Sequence, residues 1–357
     1  MTECKRCLFD ETTPNFTLDA DGICSVCRSF EKRVLPVPGE FERVVEKIKT
    51  AKNKYDCLIG ISGGVDSCYV TYLAWKHGLR PLVVHFDNGW NAETAVKNIK
   101  AIITKTGFDY ETYVIPWPEF RDLQRAFIKA GVIDIEMLTD HAIMAVMLGL
   151  AEKNDIPYVL SGTNVATENG MPKGWNWMKL DLRNIKAIHR RFGERSIKNF
   201  PTISLWSALW RLRVKKKPVF LEPLNMIHFR KDEAVATLKS EFGWMDYGGK
   251  HFESVFTKFY QAYILPKKFN VDKRRMHLSA LIRNGELSKE DAHRQLSLPL
   301  YNEEVFSIDR DYILKKLGFS REEFDAFMNA TPVPHDSYSS DKQRLDKLLK
   351  LKVWFGF

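Results

Sequence analysis

The sequence predicts an α/β protein in which a parallel sheet carries helices on both faces. A four-cysteine module precedes the sheet, and a mainly helical region follows it. Between residues 56 and 160, short apolar runs alternate with segments of helical period, which is typical of a covered parallel sheet. Four of the six cysteines lie within the first 27 residues. From residue 230 to 297 the apolar spacing is again largely helical.

The composition is that of a folded protein with more than one domain. The chain has 357 residues, of which 45% are hydrophobic and 28% charged, and this excludes disordered and low-complexity chains. The net charge of +9 attracts nucleic acid, acidic lipid or phosphorylated small molecules. No apolar run approaches the roughly 18 residues of a bilayer span, and residues 1–18 lack the apolar core of a secretion signal. A cytoplasmic protein without a transmembrane segment is expected.

The elements follow one another in a regular order. Predicted strands cover residues 56–61, 81–86, 111–115 and 157–160. Predicted helices cover residues 41–54, 65–77, 92–106, 140–154 and 318–328. Because Pro36, Pro38 and Gly39 interrupt the pattern, a boundary near residue 38 is expected. The predicted regions are a cysteine module at 1–38, the sheet domain at 39–222, and a helical region for substrate or partner contacts at 223–357.

Two C-x-x-C pairs stand out near the start of the chain. Cys4 and Cys7 form the first pair, and Cys24 and Cys27 form the second. Two such knuckles can place four thiolates tetrahedrally around Zn²⁺, and a closed four-sulfur site of this kind is structural. A disulfide pair and an iron–sulfur cluster are the alternatives.

A glycine-rich motif lies between the first predicted strand and the helix after it. Residues 62–67 read S-G-G-V-D-S, and such a loop can bind phosphate through backbone N–H groups and the helix N-terminus. Its glycines let the backbone approach an anion, and Ser62 and Ser67 add hydroxyl donors. Asp66 is itself anionic, so it fits beside phosphate through a bridging Mg²⁺. The motif matches neither a Walker A loop nor G-x-G-x-x-G.

Two further segments follow predicted strands. Residues 161–164 read S-G-T-N and precede Glu168, and residues 87–89 read D-N-G. Because the carboxyl ends of parallel strands meet at the sheet edge where open α/β folds bind ligands, both segments should lie beside the 62–67 loop. An ordinary turn is the other interpretation of 87–89.

The 62–67 loop resembles the PP-loop of the ATP pyrophosphatase superfamily, and the 162–168 spacing looks like the magnesium-binding loop of NAD synthetases. The resemblance implies a Rossmann-like sheet of the adenine nucleotide alpha hydrolase type, which binds ATP and transfers its α-phosphate to a substrate oxygen. It implies that Asp66 and Glu168 hold Mg²⁺. The residues implied for ATP are Ser62, Gly63, Gly64, Val65, Asp66, Ser67, Asp87, Asn88, Gly162, Thr163 and Glu168.

Longer segments narrow this resemblance. Residues 170–184 (GMPKGWNWMKLDLRN), 247–261 (YGGKHFESVFTKFYQ) and 266–281 (PKKFNVDKRRMHLSAL), together with the cysteine module, look like the N-acetyl sugar amidotransferases of surface polysaccharide biosynthesis, of the WbpG and PseA type. That family implies conversion of an acetamido group on a nucleotide-linked sugar, such as a UDP-diacetamido uronic acid, into an acetamidino group for lipopolysaccharide O-antigen. Adenylation turns the amide oxygen into a leaving group, which ammonia then replaces.

The resemblance also implies how substrate and ammonia are handled. A diphosphate or carboxylate on the sugar needs fixed cations. Candidates for substrate binding are Lys179, Lys250, Lys258 and Arg274. Candidate catalytic residues are Asp66, Lys250 and His251. Because no cysteine has the setting of a glutaminase nucleophile, ammonia is expected from a separate glutaminase with a cyclase-like subunit, similar to the histidine-biosynthesis pair.

Other interpretations remain beside this one. His189 and His277 are candidate bases, although such histidines are more typically structural. The Trp-rich basic stretch 203–217 predicts core packing or a docking surface for a partner or membrane. A PP-loop enzyme that thiolates or adenylates a tRNA base fits the net charge, although Cys57 and Cys68 are too few for a three-cysteine cluster. A non-catalytic nucleic-acid adaptor is the last alternative, and stable nucleic-acid binding is not expected.

Overall fold

The computed structural model describes residues 2–50, 53–249 and 252–346. Its strands are β1 (Cys57–Gly60), β2 (Pro81–Asp87), β3 (Asp109–Val114), β4 (Tyr158–Leu160) and β5 (Val219–Leu221). Its α-helices are α1 (Ser25–Glu31), α2 (Glu40–Lys49), α3 (Val65–Lys76), α4 (Glu93–Thr106), α5 (Trp117–Ala130), α6 (Met137–Lys153), α7 (Val165–Glu168), α8 (Leu182–Phe192), α9 (Leu205–Leu209), α10 (Lys231–Phe242), α11 (Val255–Phe259), α12 (Leu265–Phe269), α13 (Lys273–Arg283), α14 (Lys289–Ser297), α15 (Glu303–Leu317) and α16 (Arg321–Asn329). Among the described residues, no helix is both long and apolar enough to cross a membrane.

Strands β1 to β5 form one parallel sheet in the order β3-β2-β1-β4-β5. Ile59 of β1 aligns with Val83 of β2 and with Leu160 of β4. The chain builds outward from β1 first on one side and then on the other. The carboxyl ends of β1 and β4 therefore flank the point where the strand order reverses, which is the usual ligand position in open α/β sheets.

Successive residues of the strands are buried against different helices. Cys57 and Ile59 pack in a core with α2, α3, α4 and α10, whereas Leu58, Leu82 and Val84 pack with α6 in another. Because successive strand side chains point to opposite faces, a sheet with helices on both sides needs continuous apolar strands. The predicted α/β fold class is confirmed.

Element boundaries differ from the prediction in several places. The third strand begins at Asp109 rather than at residue 111, and β5 and α5 were not predicted. Gly318 does not begin a helix but ends α15 in a left-handed conformation with φ of +74°. The helix after it begins at Arg321, because Ser320 and Glu323 form a capping box.

The helices that cover the sheet include one that lies beyond residue 222, the predicted end of the sheet domain. Helix α10 packs against α3 and α4, and its Leu238 is buried in the same core as Ile59. The proposed three-region division stays a prediction, but residues 231–242 contribute to the layer that covers the sheet.

The cysteine module is attached to α13. The Arg275 guanidinium lies 2.9 Å from the Asp10 carboxylate and donates to the Leu8 carbonyl at 2.7 Å. The Leu8 N–H in turn donates to Ser279 Oγ at 3.1 Å, and Leu8 packs against Leu278. The first module and one face of α13 are thus bound by charge, hydrogen bonds and apolar contact.

The segment after α16 returns to the molecule's interior. His335 is buried, and its Nε2 accepts a hydrogen bond from the Asp134 N–H at 3.1 Å. Nδ1 therefore carries the proton and donates to Asn184 Oδ1 at 2.8 Å. Ser340 Oγ donates to Asp181 at 2.6 Å. These bonds hold the C-terminal segment against α8 and the start of α6.

Candidate active site

The S-G-G-V-D-S loop joins β1 to α3 at the carboxyl edge of the sheet. Gly63 has φ of +84°, and a Cβ there would lie 2.6 Å from the Ala95 carbonyl oxygen, so glycine is required. Gly64 is the N-cap of α3, where the first helical N–H groups have no partner within the helix. The Ser62 and Ser67 hydroxyls lie 3.0 Å apart. The loop can therefore offer backbone and hydroxyl donors to phosphate.

The loop after β4 lies directly against the S-G-G-V-D-S loop. A Cβ on Gly162 would lie 3.0 Å from the Ser67 amide nitrogen and 3.1 Å from the Asp66 carbonyl carbon. Glycine permits that close approach. Asn164 then caps α7 with its side chain, and Glu168 is the last residue of this short helix.

Both loops line one cavity of about 240 Å³, named here the PP-loop cavity. The predicted ATP residues that line it are Ser62, Gly64, Val65, Asp66, Ser67, Gly162, Thr163 and Glu168. Gly63 instead uses its carbonyl to accept a hydrogen bond from Trp244 Nε1 at 3.1 Å. Asp66 and Glu168 reach the cavity from different loops, and paired carboxylates are a donor set that fits Mg²⁺.

A second cavity, of about 380 Å³, opens beside the first. The residues that line both this cavity and the PP-loop cavity are Ser62, Ser67, Ser161, Gly162 and Glu253. Its apolar lining consists of Phe86, Ile143, Met144, Val146, Met147, Val159 and Phe220, among others. We name it the apolar cavity. Its volume and walls suit a small organic ring system with polar groups at one end.

The two polar side chains of the D-N-G segment after β2 have different positions. Asn88 lines the apolar cavity. Asp87 Oδ1 accepts hydrogen bonds from Gly89 N and Asn91 Nδ2, both at 2.8 Å, and so closes the turn. His85 Nε2 accepts from the same Asn91 amide at 3.0 Å. A direct contact of Asp87 with a nucleotide stays a prediction.

Sequence analysis missed cavity residues that come from the C-terminal half. Lys231, Tyr247 and Glu253 all line the PP-loop cavity. The segment that carries the last two is held to the β2 loop, because Val255 N donates to the Trp90 carbonyl at 2.8 Å. Burial, followed by the charge of Glu253, raises the pKa of Tyr247, so its phenol remains protonated. The paired glycines of Y-G-G-K-H-F-E-S were the available signal, whereas nothing in the sequence marks Lys231.

Two of the cations predicted for substrate binding, Lys179 and Lys258, are engaged in ion pairs. Lys179 Nζ lies 2.7 Å from Asp134 and 3.0 Å from Asp140. Burial alone would lower the pKa of Lys179, but these two carboxylates raise it overall. Lys258 Nζ lies 2.6 Å from Asp309. Substrate contact by Lys179 or Lys258 stays a prediction and would compete with these pairs.

Arg274 has mainly local partners. Its guanidinium forms a two-nitrogen interaction with Asp272, with Nη2 at 2.8 Å. It also donates to the Leu298 carbonyl at 2.7 Å, just beyond the end of α14. These bonds tie the start of α13 to α14 and leave its predicted role toward substrate untested.

The histidine candidates occupy different environments. His189 Nε2 lies 2.9 Å from Asp122 at the contact between α8 and α5. His277 lines a third cavity, described next. Lys250 and His251 lie outside the described residues, so their predicted catalytic roles remain predictions.

The third cavity has a volume of about 370 Å³ and adjoins the PP-loop cavity at Lys231, which lines both. Lys273, Arg274 and His277 of α13 line it, so we name it the α13 cavity. Gly248 also lines it and has φ of +82°, a conformation that favours glycine.

The four N-terminal cysteines form a compact, buried cluster. Their Sγ atoms lie within 4.8 Å of one another, with 4.0 Å between Cys4 and Cys27 and 3.7 Å between Cys7 and Cys24. Sulfurs arranged tetrahedrally at about 2.3 Å from one ion would be about 3.8 Å apart. The set can therefore hold one metal ion, whereas a [4Fe–4S] cube spreads its ligands over four irons. The cysteines are free, without disulfide bonds.

The Trp-rich stretch 203–217 combines buried and exposed faces. Leu205 and Ala208 are buried, whereas Trp206 and Trp210 are each 49% exposed. The stretch therefore contributes to packing and also presents aromatic surface, and its use as a docking surface stays a prediction.

The fold and the paired loops define an α/β protein whose sheet edge offers backbone and hydroxyl donors to a ligand. Residues 253–352 match a family described as LPS biosynthesis protein WbpG-like, C-terminal domain. No curated protein matches the chain.

Several solved structures are distantly similar to this chain. They include NMN synthetase from Francisella tularensis, at 11% identity over 82% of this chain and 97% of that one, with a TM-score of 0.41. The NH3-dependent NAD synthetase from Campylobacter jejuni has 12% identity over 86% and 98%, with a TM-score of 0.35. The U34-tRNA thiolase NcsA from Methanococcus maripaludis, with its [4Fe-4S] cluster, has 12% identity over 83% and 87%, with a TM-score of 0.31. Likenesses this distant assign no activity.

Proposed function

We propose that this protein is an ATP-dependent, AMP-forming amidotransferase acting on a nucleotide-linked N-acetyl sugar. It would convert an acetamido group into an acetamidino group for a surface polysaccharide such as O-antigen. The observation that carries the proposal is the meeting of the S-G-G-V-D-S loop and the G-T-x-x-x-x-E segment in one cavity. The WbpG-like match over residues 253–352 supports the choice of acceptor.

ATP would span the two shared cavities. Its pyrophosphate would bind the N–H groups at the start of α3 in the PP-loop cavity, and its adenosine would occupy the apolar cavity. The α-phosphate would then lie near Ser62, Ser67 and Gly162, which line both cavities. Asp66 and Glu168 would hold Mg²⁺, which supplies charge neutralisation at the phosphates when it is bound.

The reaction would proceed through an adenylated amide. The acetamido oxygen attacks the α-phosphorus, a P–O bond forms, and pyrophosphate leaves. Ammonia then adds to the imidate carbon and loses a proton, and cleavage of the C–O bond releases AMP. The protonated Tyr247 phenol is a hydrogen-bond donor that this cavity offers to phosphate oxygens.

The cysteine cluster would hold one structural Zn²⁺. All four sulfurs are engaged with one another at the N-terminus, which leaves no open ligand position for chemistry. Ammonia would come from separate glutaminase and cyclase-like subunits. Location in the cytoplasm, where ATP and nucleotide sugars occur, stays part of the proposal.

A tRNA-thiolating activity receives less support. Cys57 and Cys68 are the cysteines outside the cluster, and both are fully buried. Burial raises the pKa of both thiols, so neither is suited to carry sulfur as a thiolate.

The Asp66→Ala variant tests the proposal through the products formed from ATP. With nucleotide sugar and ammonium, the wild-type protein should release AMP and pyrophosphate. Asp66→Ala should reduce this rate at least about 100-fold, roughly 3 kcal/mol of transition-state stabilisation, because a phosphate-site carboxylate is lost. Glu93→Ala, an exposed carboxylate at the start of α4, is the matched control and should retain activity. Release of ADP and phosphate would contradict the PP-loop mechanism.

The nitrogen source is tested in the same assay. Ammonium should support amidine formation, glutamine alone should not, and glutamine with the glutaminase and cyclase-like subunits should restore it. Turnover of glutamine by the single chain would contradict the proposed division of labour. Salt-sensitive retention of tRNA by the purified protein would favour the tRNA-modifying alternative.

A further inference from the structure

Lys273, the first residue of α13, is a partly buried cation that lines the α13 cavity. The Lys273 side chain is surrounded by protein, and burial lowers its pKa, yet part of its surface remains accessible, as expected at a cavity wall. Its ammonium lies 5.7 Å from the centroid of the Tyr260 ring. Within the part of the chain that the structure describes, it forms no ion pair and no hydrogen bond.

The two basic residues after Lys273 are both engaged in ion pairs. Arg274 is held by Asp272. Arg275 is held by Asp10 of the cysteine module. Of this run of cations, Lys273 is the one whose charge the described protein leaves uncommitted.

The carboxylates near Lys273 have other partners. Asp134 and Asp140 both bind Lys179, and Glu136 accepts a hydrogen bond from the Thr257 hydroxyl at 3.0 Å. These acidic groups favour a charged Lys273 at a distance, and Lys179 opposes it. A partly buried ammonium without a hydrogen-bond or ion-pair partner loses hydration without compensation, and an anionic ligand would offset that loss.

We propose that the α13 cavity binds the anionic group of the acceptor substrate, its diphosphate or its sugar carboxylate, with Lys273 as the anion ligand. The inference rests on the proposed function, which requires an acceptor beside ATP. The α13 cavity meets the PP-loop cavity at Lys231, so an acceptor bound there lies next to the nucleotide site. Leu278, Leu281 and Leu298 give the cavity an apolar wall for the rest of the ligand.

Calorimetry with the nucleotide site already filled tests the proposal. The full chain is saturated with α,β-methylene-ATP and Mg²⁺ and then titrated with UDP or, separately, with glucuronate. Lys273→Met should weaken binding of at least one of them by about tenfold or more, which is about 1.4 kcal/mol. Lys273→Arg should retain part of the affinity. Lys267→Met, an exposed lysine on neighbouring α12, is the matched control and should bind as the wild type does.

The two ligands distinguish the source of the anion. A loss confined to UDP assigns the diphosphate, and a loss confined to glucuronate assigns the carboxylate. Lys273→Met should keep or raise the thermal midpoint, because an apolar residue replaces an unpaired, partly buried charge.

Three results would overturn the inference. These are equal binding of both ligands by wild type and Lys273→Met, no binding of either ligand by a wild type that binds the ATP analogue, and marked destabilisation by Lys273→Met. AMP formation could still occur with each of these results. Failure of the proposed function would instead appear as ADP release or as no reaction with ATP.

Discussion

The PP-loop cavity and the α13 cavity adjoin each other but are constructed differently. The first is formed mainly by the two loops that follow β1 and β4, which Gly162 allows to approach each other closely. The second takes its charge from side chains such as Lys273, whose position depends on how α13 is held. The PP-loop cavity therefore depends mainly on the edge of the sheet. The α13 cavity also depends on the distant segments that orient α13.

Helix α13 is held from two directions. On one side Arg275 and Ser279 bind the cysteine module. On the other, the Arg283 guanidinium donates to the Asn169 side chain at 2.7 Å and to its carbonyl at 3.0 Å, one residue after Glu168. The cysteine module therefore supports the α13 cavity directly, and it is linked to the PP-loop cavity through this second contact.

Removal of the metal should produce the largest difference in ligand binding between the two cavities. Cys24→Ser should abolish the complement of about one zinc per chain, because structural sites contribute on the order of 10 kcal/mol of binding free energy. With the module loosened from α13, UDP binding should be lost while ATP-analogue binding persists. Elemental analysis and calorimetry measure the two effects.

Cys57→Ser is the matched control for this change, since Cys57 is equally buried but lies in β1, outside the cluster. It should keep the zinc. Zinc-free wild-type protein, freshly purified under reducing conditions, would refute the metal site. Equal loss of both ligands in Cys24→Ser would refute the contrast between the cavities.

Acid should lower the free energy of unfolding through His335, which anchors the C-terminal segment. Burial lowers the pKa of His335 to about 4 from its ordinary 6.5, so the unfolded chain takes up this proton first as pH falls. The free energy of unfolding should therefore decline from about pH 6.5 toward pH 4, by up to about 3 kcal/mol for this group. Denaturant titrations at pH 7 and pH 5 measure the decline. His335→Asn should show a shallower pH dependence, and an unchanged slope would rule out His335 as the source.

Loss of one ion pair between α13 and the cysteine module should have a smaller effect than loss of the metal. Arg275→Ala should lower the free energy of unfolding by about 2 kcal/mol, because it leaves the nearly buried Asp10 carboxylate without its cation. UDP affinity should fall more than ATP-analogue affinity. Arg294→Ala on α14, whose side chain is 78% exposed, is the control and should change neither. A similar loss in both arginine variants would mean that the module contact is unimportant.

Sequence analysis was most successful where the structure depends on local backbone. The S-G-G-V-D-S loop, Gly162 and the paired cysteines were predicted because a positive φ, a helix N-terminus or a knuckle needs particular residues at short spacing. The strand β5 was missed because it is three residues long and exists through pairing with β4. Lys231, Tyr247 and Glu253 were missed because they reach the PP-loop cavity only by long-range packing.

The run of basic residues at 273–275 shows most clearly what the sequence determines and what the tertiary structure determines. The sequence by itself places three consecutive cations here, and it predicted loops with phosphate-binding motifs at the ends of β1 and β4. Tertiary structure alone decided which cation remained uncommitted. Successive residues on a helix point about 100° apart, so Arg274 meets Asp272 and α14, Arg275 meets the cysteine module, and Lys273 faces the cavity.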